Sequence, residues 1–319
     1  MPTVITYSPA VTLVPTYECF NACTYCNFRV APGQDIWLTP ETAEQQLAQI
    51  RRYSPQVTEI LLLSGEVHPH SPRRVQWVER LAELAQLAWE WGFWPHTNAG
   101  PLSEPEMARL GAVNASLGLM LEQLRPDLPV HRHAPSKDPE LRLAQLEQAG
   151  RLGIPFTTGL LLGIGESPTD WEVTLTAIAA SSARWGHIQE VILQPYRRGT
   201  TQTAHLPDFP LAQLPAVVRL ARRILPPEIT LQIPPNLVRH PQILLDCLAA
   251  GARDFGGIGP KDEVNPDYPY PPLMALTTLL EQHGYTLAPR LPIYPKWSHF
   301  KGISPQFSPV SVPNRKNLV

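Results

Sequence analysis

The sequence predicts an α/β protein folded as a closed parallel (β/α)8 barrel of TIM type. Three observations carry this: short apolar runs alternate with longer amphipathic stretches, the connections are short, and 319 residues suffice for one large barrel. The runs expected as strands are residues 11–17, 59–64, 93–98, 112–119, 155–162, 188–194, 229–233 and 253–256, each of four to eight residues, the usual length of a buried strand. Between them, residues 40–52, 72–91, 103–110, 137–152, 168–185, 210–224 and 239–250 carry amphipathic helical patterns, and a last one lies near 271–283. The competing arrangement is an open doubly wound sheet. Against it, no Gly-rich dinucleotide loop follows the first strand and no break marks a second domain. The barrel is therefore expected over residues 1–285. Beyond it the pattern fades into PRLPIYPKW, and 286–319 are expected to be an irregular tail.

Composition narrows the function. With 43% hydrophobic and 17% charged residues the chain is not a disordered one. Lys and Arg (26) nearly balance Asp and Glu (28), and a net charge of -2 gives no footprint for nucleic acid or an anionic membrane. A small molecule or another protein is the expected partner. The 37 prolines are scattered, as in stiffened loops. The N-terminus has no basic start or long apolar run, and no stretch reaches the roughly 20 apolar residues of a membrane span, so a cytoplasmic protein is expected.

Three of the four cysteines fall within eight residues, a poor disulfide framework and a good metal site. They are Cys19, Cys23 and Cys26, just after the first expected strand, and in a barrel the loop after a strand sits on the catalytic face. Soft thiolates select zinc, copper(I) or an iron-sulfur cluster. A structural zinc site uses four protein ligands, whereas three thiols leave one metal position open to substrate. His68 or His70 could complete a zinc site, so a non-catalytic metal-binding scaffold stays the rival reading.

The run Cys19-x3-Cys23-x2-Cys26, with Tyr25 before the last cysteine, resembles the signature of the radical S-adenosylmethionine (SAM) superfamily. That resemblance implies a biotin-synthase-like barrel in which the three cysteines hold three irons of a 4Fe-4S cluster and the fourth iron chelates SAM. One electron then cleaves the sulfonium, and the resulting radical abstracts hydrogen from substrate. Ser64-Gly65-Glu66 resembles the family's Gly-Gly-Glu motif, which takes the SAM ammonium. GLLLGIGE, with Gly159, Leu161, Gly163 and Glu166, resembles its fifth-strand adenine motif. Arg142 lies 24 residues before Glu166, where biotin-synthase-like members pair the SAM carboxylate. Asn114 and Ser116 resemble the ribose contacts.

TYECFNACTYCNFR, NAGPLSEPEMARLGAVNASLGLMLE, the run from SKDPELRL to GLLLGIGES, QEVILQ and DFGGIGPKDEVNPDYPYPPL look like the family of first subunits of FO synthase, FO being 7,8-didemethyl-8-hydroxy-5-deazariboflavin. The resemblance implies a ring-closing lyase. In that family the hydroxybenzyl-ribityl-dihydrouracil adduct, made by a tyrosine-using radical SAM partner subunit, closes to FO with loss of ammonia while SAM is converted to methionine and 5'-deoxyadenosine. A reducing electron donor is implied. Other biotin-synthase-like cyclases are the rivals within the superfamily. QPYRRGTTQ after the sixth strand departs from the expected pattern but keeps Gln194.

Substrate contacts are expected among Asn98, Glu122, Gln194, Arg197, Asp254, Lys261 and Asn265, polar residues at or beyond strand ends. Tyr17, Phe20 and Tyr25 are expected to shield the cluster or fill core. His131 and His133 read as solvent-exposed loop residues, Cys247 as a buried structural thiol, and Trp89, Trp91 and Trp94 as outer-ring packing.

Overall fold

The computed structural model describes residues 2–298. Eight parallel strands close a barrel: β1 (Thr3–Leu13), β2 (Glu59–Leu63), β3 (Trp94–Asn98), β4 (Ser116–Gly118), β5 (Phe156–Leu162), β6 (Ile188–Pro195), β7 (Thr230–Gln232) and β8 (Asp254–Ile258). Closure comes from β1, which pairs with β2 through Ala10–Leu13 and with β8 through Thr6–Pro9. Helices α1 (Pro40–Tyr53), α2 (Arg74–Glu90), α3 (Glu104–Gly111), α4 (Pro139–Arg151), α5 (Pro168–Trp185), α6 (Leu214–Ile224), α7 (Pro241–Ala250) and α8 (Leu273–Glu281) form the outer ring. Local sequence sets their starts. Thr39 caps α1 with Pro40 behind it, and Ser103 with Glu106 and Ser167 with Asp170 form capping boxes on α3 and α5.

Three elements differ from expectation, one of them the fourth strand, expected over 112–119 and found over Ser116–Gly118. The first strand begins at Thr3 and not at residue 11, because its N-terminal half has a partner the pattern did not show. That partner is a ninth strand, β9 (Tyr285–Pro289), parallel to β1 from Thr3↔Tyr285 to Tyr7↔Pro289. The irregular chain expected from residue 286 is thus ordered as a strand to Pro289 and continues under the barrel. The Pro292 carbonyl accepts from Ser116 Oγ and Gln189 Nε2, both at 2.9 Å, and Trp297 Nε1 donates to the Gly186 carbonyl at 2.9 Å. Trp89 and Trp94, 4.9 Å apart, pack against Ile293 and Trp297, so these tryptophans seal the barrel's N-terminal end and not only its flank. The remaining tail lies outside the described residues.

Side chains along each strand alternate between the helix layer and the lumen. Glu59, Leu61 and Leu63 of β2, Glu190, Ile192 and Gln194 of β6, and Thr157 and Leu161 of β5 all face one cavity. Their registers stack them: Thr157 beside Glu190, Gly159 beside Ile192, Leu161 beside Gln194. The lumen therefore has a polar floor, an apolar collar and a polar rim.

Candidate functional site

The cavity occupies about 350 Å3 and opens at the C-terminal ends of the strands. Cys19, Cys23 and Cys26 line its rim, on a loop built by buried polar contacts. The buried Glu18 carboxylate accepts from Gly33 N at 2.9 Å, Trp37 Nε1 at 3.1 Å and Arg73 Nη1 at 2.8 Å, which anchors the residue before Cys19. Gly65 is the seat: its N–H donates to Thr16 O at 2.8 Å, and a Cβ there would collide with the Glu18 carbonyl. Asn21, 1% exposed, donates to Glu66 Oε2 at 2.9 Å and accepts from Ser136 N at 3.0 Å, tying the loop to the turn before α4.

All three thiols are free and partly exposed to the cavity. Burial raises the Cys23 thiol to about 12 against the opposing pull of Lys137, so without a metal it keeps its proton. Bound iron reverses that balance, because a coordinating thiol is deprotonated. Among the described residues no three His, Cys, Asp or Glu side chains already close on a single ion. What fits an iron-sulfur group is the donor set, three soft sulfurs on one loop facing an open cavity. His68 meets Phe20 edge to face at 4.9 Å, and neither lines the cavity.

Beside the cysteines lie Glu66 and Arg142. Arg142, 2% exposed, donates from Nε to Ser136 O at 2.8 Å and from Nη1 to Met120 O, with Nη2 3.7 Å from Glu66 Oε1. A guanidinium and a carboxylate thus face the same space beside the cysteine loop, one suited to a carboxylate and the other to an ammonium.

Glu122 is the hub of a second cluster beside the cysteine loop. It is the one non-glycine residue with positive φ, +61°, among those described. Its Oε1 takes Lys137 Nζ at 2.5 Å, and its Oε2 takes Tyr25 OH at 2.5 Å and His131 Nε2 at 3.0 Å. Burial opposes its ionisation, but Lys137, His131 and Arg142 outweigh burial and hold the carboxyl well below the usual range. Burial and Glu122 together hold the Tyr25 phenol well above its ordinary value, so it donates as a neutral hydroxyl. His131 is therefore a buried partner of this cluster and not the solvent-exposed loop residue expected.

The floor was not legible in the sequence. Arg290, delivered by β9, donates to Asp254 Oδ2 at 2.6 Å and to Glu190 Oε1 at 2.7 Å. Tyr294 OH donates to the same Glu190 oxygen at 2.7 Å. Gln232, with its amide nitrogen turned toward Glu190, lies 3.2 Å from both carboxyl oxygens. Burial raises Glu190 to about 8 against the pull of Arg290, with Asp254 adding to the rise. Burial also raises Glu59 and lowers His96 to about 3, leaving the imidazole neutral.

Of the residues expected in the site, the cavity gathers the three cysteines, Tyr25, Gly65, Glu66, Asn98, Glu122, Arg142, Gln194, Arg197 and Asn265. Others lie elsewhere. Asn114 precedes the three-residue β4 and bonds Thr97 Oγ1 and Leu110 O, outside the lumen. Ser116 sits under the barrel against His96 and Pro292. Glu166 accepts from Gly163 N, Ile164 N and Trp171 Nε1, so it closes its own turn, and Gly163 packs against Phe209. Asp254 is consumed by Arg290, and Lys261 pairs with Glu263 at the surface. Cys247 is buried in the core on α7, as expected.

The radical SAM superfamily model matches residues 13–178. The chain is 64% identical over 296 residues to the 7,8-didemethyl-8-hydroxy-5-deazariboflavin synthase of Thermosynechococcus vestitus, covering 92% of this chain and 93% of that one. It is 57% identical over 293 residues to the protein of the same name from Gloeobacter violaceus, covering 91% and 90%. Among solved structures, the FeFe-hydrogenase maturase HydG from Carboxydothermus hydrogenoformans superposes with a TM-score of 0.72 at 18% identity, covering 90% of this chain and 68% of that one. Methylornithine synthase (PylB) does so at 0.67 and 16%, covering 90% and 84%. At those identities the likeness is one of fold. Among the described residues no helix is long and apolar enough to cross a membrane.

Proposed function

The chain belongs to the radical SAM superfamily and, within it, to the 7,8-didemethyl-8-hydroxy-5-deazariboflavin synthases, and from that premise we propose that it is the ring-closing lyase that forms FO. The observation that carries this reading is the cysteine loop. Cys19, Cys23 and Cys26 stand at the mouth of a lumen of about 350 Å3 lined by polar and apolar side chains, the room for a small polar molecule that a hydrogen-abstracting enzyme requires and a structural metal site does not. When bound, a 4Fe-4S cluster and SAM supply one-electron cleavage of a sulfonium and hydrogen abstraction from a carbon of the substrate.

The chain's own residues bind, orient and exclude water. Arg142 holds the carboxylate of SAM, and Glu66 with the backbone at Gly65 holds its ammonium, a division that follows from their charges and their 3.7 Å approach. Asn21 fixes Glu66 and the cysteine loop in one network. Tyr25, Glu122, Lys137 and His131 form a closed wall beside the thiols, which keeps water from the reacting carbon. Gln194, Arg197 and Asn265 present the polar rim to the ribityl chain of the adduct.

The tyrosine-using radical SAM subunit that makes the adduct is a separate chain in this reading, which assigns the single loop Cys19–Cys26 to ring closure alone. A low-potential electron donor and a cytoplasmic setting complete it. The test is an anaerobic assay of the reconstituted protein with SAM, dithionite and the adduct, following FO fluorescence and 5'-deoxyadenosine together. Both products are expected from the wild type and neither from Cys23→Ala. 5'-Deoxyadenosine without FO would keep the superfamily chemistry and discard the substrate.

A further inference from the structure

Three carboxyl groups, Glu59 and Glu190 on the floor of the lumen and Asp254 behind it, crowd round one guanidinium, Arg290. Asp254 is spoken for: it takes Arg290 at 2.6 and 2.7 Å, Gly256 N at 2.5 Å and Thr6 Oγ1, and has no exposed surface. Glu190 is held by one oxygen. Its Oε1 receives Arg290 and Tyr294 OH at 2.7 Å each, while Oε2 has Thr157 Oγ1 at 3.5 Å and Gln232 at 3.2 Å. Gln232 in turn abuts Gly256, where a Cβ would strike its amide. A planar carboxyl and a planar carboxamide therefore stand side by side on neighbouring strands, both lining the cavity, with Leu61, Leu161 and Ile192 as an apolar collar above them.

We propose that this floor seats the pyrimidine ring of the adduct, Glu190 and Gln232 offering a donor–acceptor pair to its imide edge and Arg290 acting as the positioning residue that fixes Glu190. The inference rests on the reading of the protein as an FO-forming enzyme. Chemistry selects that part of the adduct. An imide edge alternates C=O, N–H and C=O in one plane, which a carboxyl and a carboxamide side by side can match with three hydrogen bonds, one donated to each carbonyl and one accepted from the N–H. The hydroxybenzyl ring has a single hydroxyl and would leave most of the buried floor unpartnered, at the full desolvation cost of each group. The collar accepts the ring faces.

An acid that must donate has to keep its proton, and the neighbours favour this. Facing Glu190 are Glu59 from β2, the neutral His96 from β3, Gln232 from β7, Asp254 from β8, and Arg290 and Tyr294 from the segment after β9. The single cation is shared with Asp254, so the second carboxyl in contact with it retains its proton near neutral pH.

The test uses the full-length protein, with FO itself as the binding probe for the unreconstituted chain and the adduct as substrate after reconstitution. Gln232→Leu, which leaves no buried charge unpaired, is expected to raise the KM for the adduct at least tenfold with kcat within about threefold, and to raise the dissociation constant for FO in parallel. Glu190→Gln keeps a neutral planar donor and is expected to bind FO nearly as the wild type at pH 7. It is also expected to lose the wild type's extra weakening above pH 8, the ratio of the two proteins cancelling titration of the ligand. Wild-type protein that makes FO while Gln232→Leu keeps wild-type KM and FO affinity overturns the floor alone. Wild-type protein that makes no FO overturns the functional reading, and the floor with it.

Discussion

Lys137 Nζ lies 2.5 Å from Glu122 Oε1, with both side chains nearly closed to solvent at 13% and 6% exposure. The pair joins the turn before α4 to the loop after β4, and Tyr25 OH on the second carboxyl oxygen brings in the cysteine loop. Three segments thus meet on one carboxylate, so its removal acts on the cysteine loop without touching a cysteine.

Glu122→Ala is therefore expected to cost about 3–5 kcal/mol, because Lys137 is left as a buried charge with its counter-ion gone. The melting temperature should fall on the order of 10 °C. The sign with pH follows from the carboxyl's lowered value: its stabilisation is present above the ordinary carboxylate range and is lost as pH falls through the folded value. Thermal melts of wild type and variant should converge in acid, and equal melting temperatures at pH 7 would refute the account.

Gly65→Ala is expected to abolish iron loading while leaving the barrel folded. The methyl would meet the Glu18 carbonyl, and backbone cannot yield as a flexible side chain can. The cysteine loop must then shift off its seat, which the barrel does not depend on. Iron content after reconstitution and far-ultraviolet circular dichroism, read together, decide it: a fully loaded variant would show that the loop adapts.

Cys247→Ala is expected to behave in the opposite way to Cys23→Ala. Cys247 is buried on α7, where burial pushes its thiol up to about 12, and losing one sulfur from packed core costs about 1 kcal/mol. Iron per chain should stay at the wild-type ratio in Cys247→Ala and fall in Cys23→Ala. A loss of iron in both would place the fourth cysteine in the metal's path.

These features were unequally legible in the sequence. The cysteine loop and Gly65-Glu66 are local motifs, so spacing alone exposes them. The floor is not local: Glu190, Gln232 and Arg290 each read singly as ordinary polar residues and meet because the barrel closes. Arg290 was hidden further by its place in a proline-rich segment that looks irregular until Tyr285–Pro289 finds β1. The residues that lie outside the cavity do so for separate reasons. Asn114 and Ser116 resemble ribose contacts within a fourth strand expected over 112–119, but β4 spans three residues, with Ser116 at its start and Asn114 before it. Glu166 carries the right chemistry and spends it on its own turn.

Glu190 also sets a pH dependence that Glu190→Gln should remove. Its folded value, about 8, lies above the ordinary carboxylate value, so the folded state holds a proton the unfolded chain releases. With a raised acid, stability is greatest below the unfolded value and declines as pH climbs from the ordinary carboxylate range toward about 8. Glutamine has no proton to lose and keeps an acceptor for Arg290 and Tyr294. Unfolding midpoints in urea across pH 5 to 9 should therefore favour the variant increasingly toward the alkaline end. A constant difference between the two proteins would mean that Glu190 is already ionised in the fold and that Arg290 neutralises both of its carboxylates.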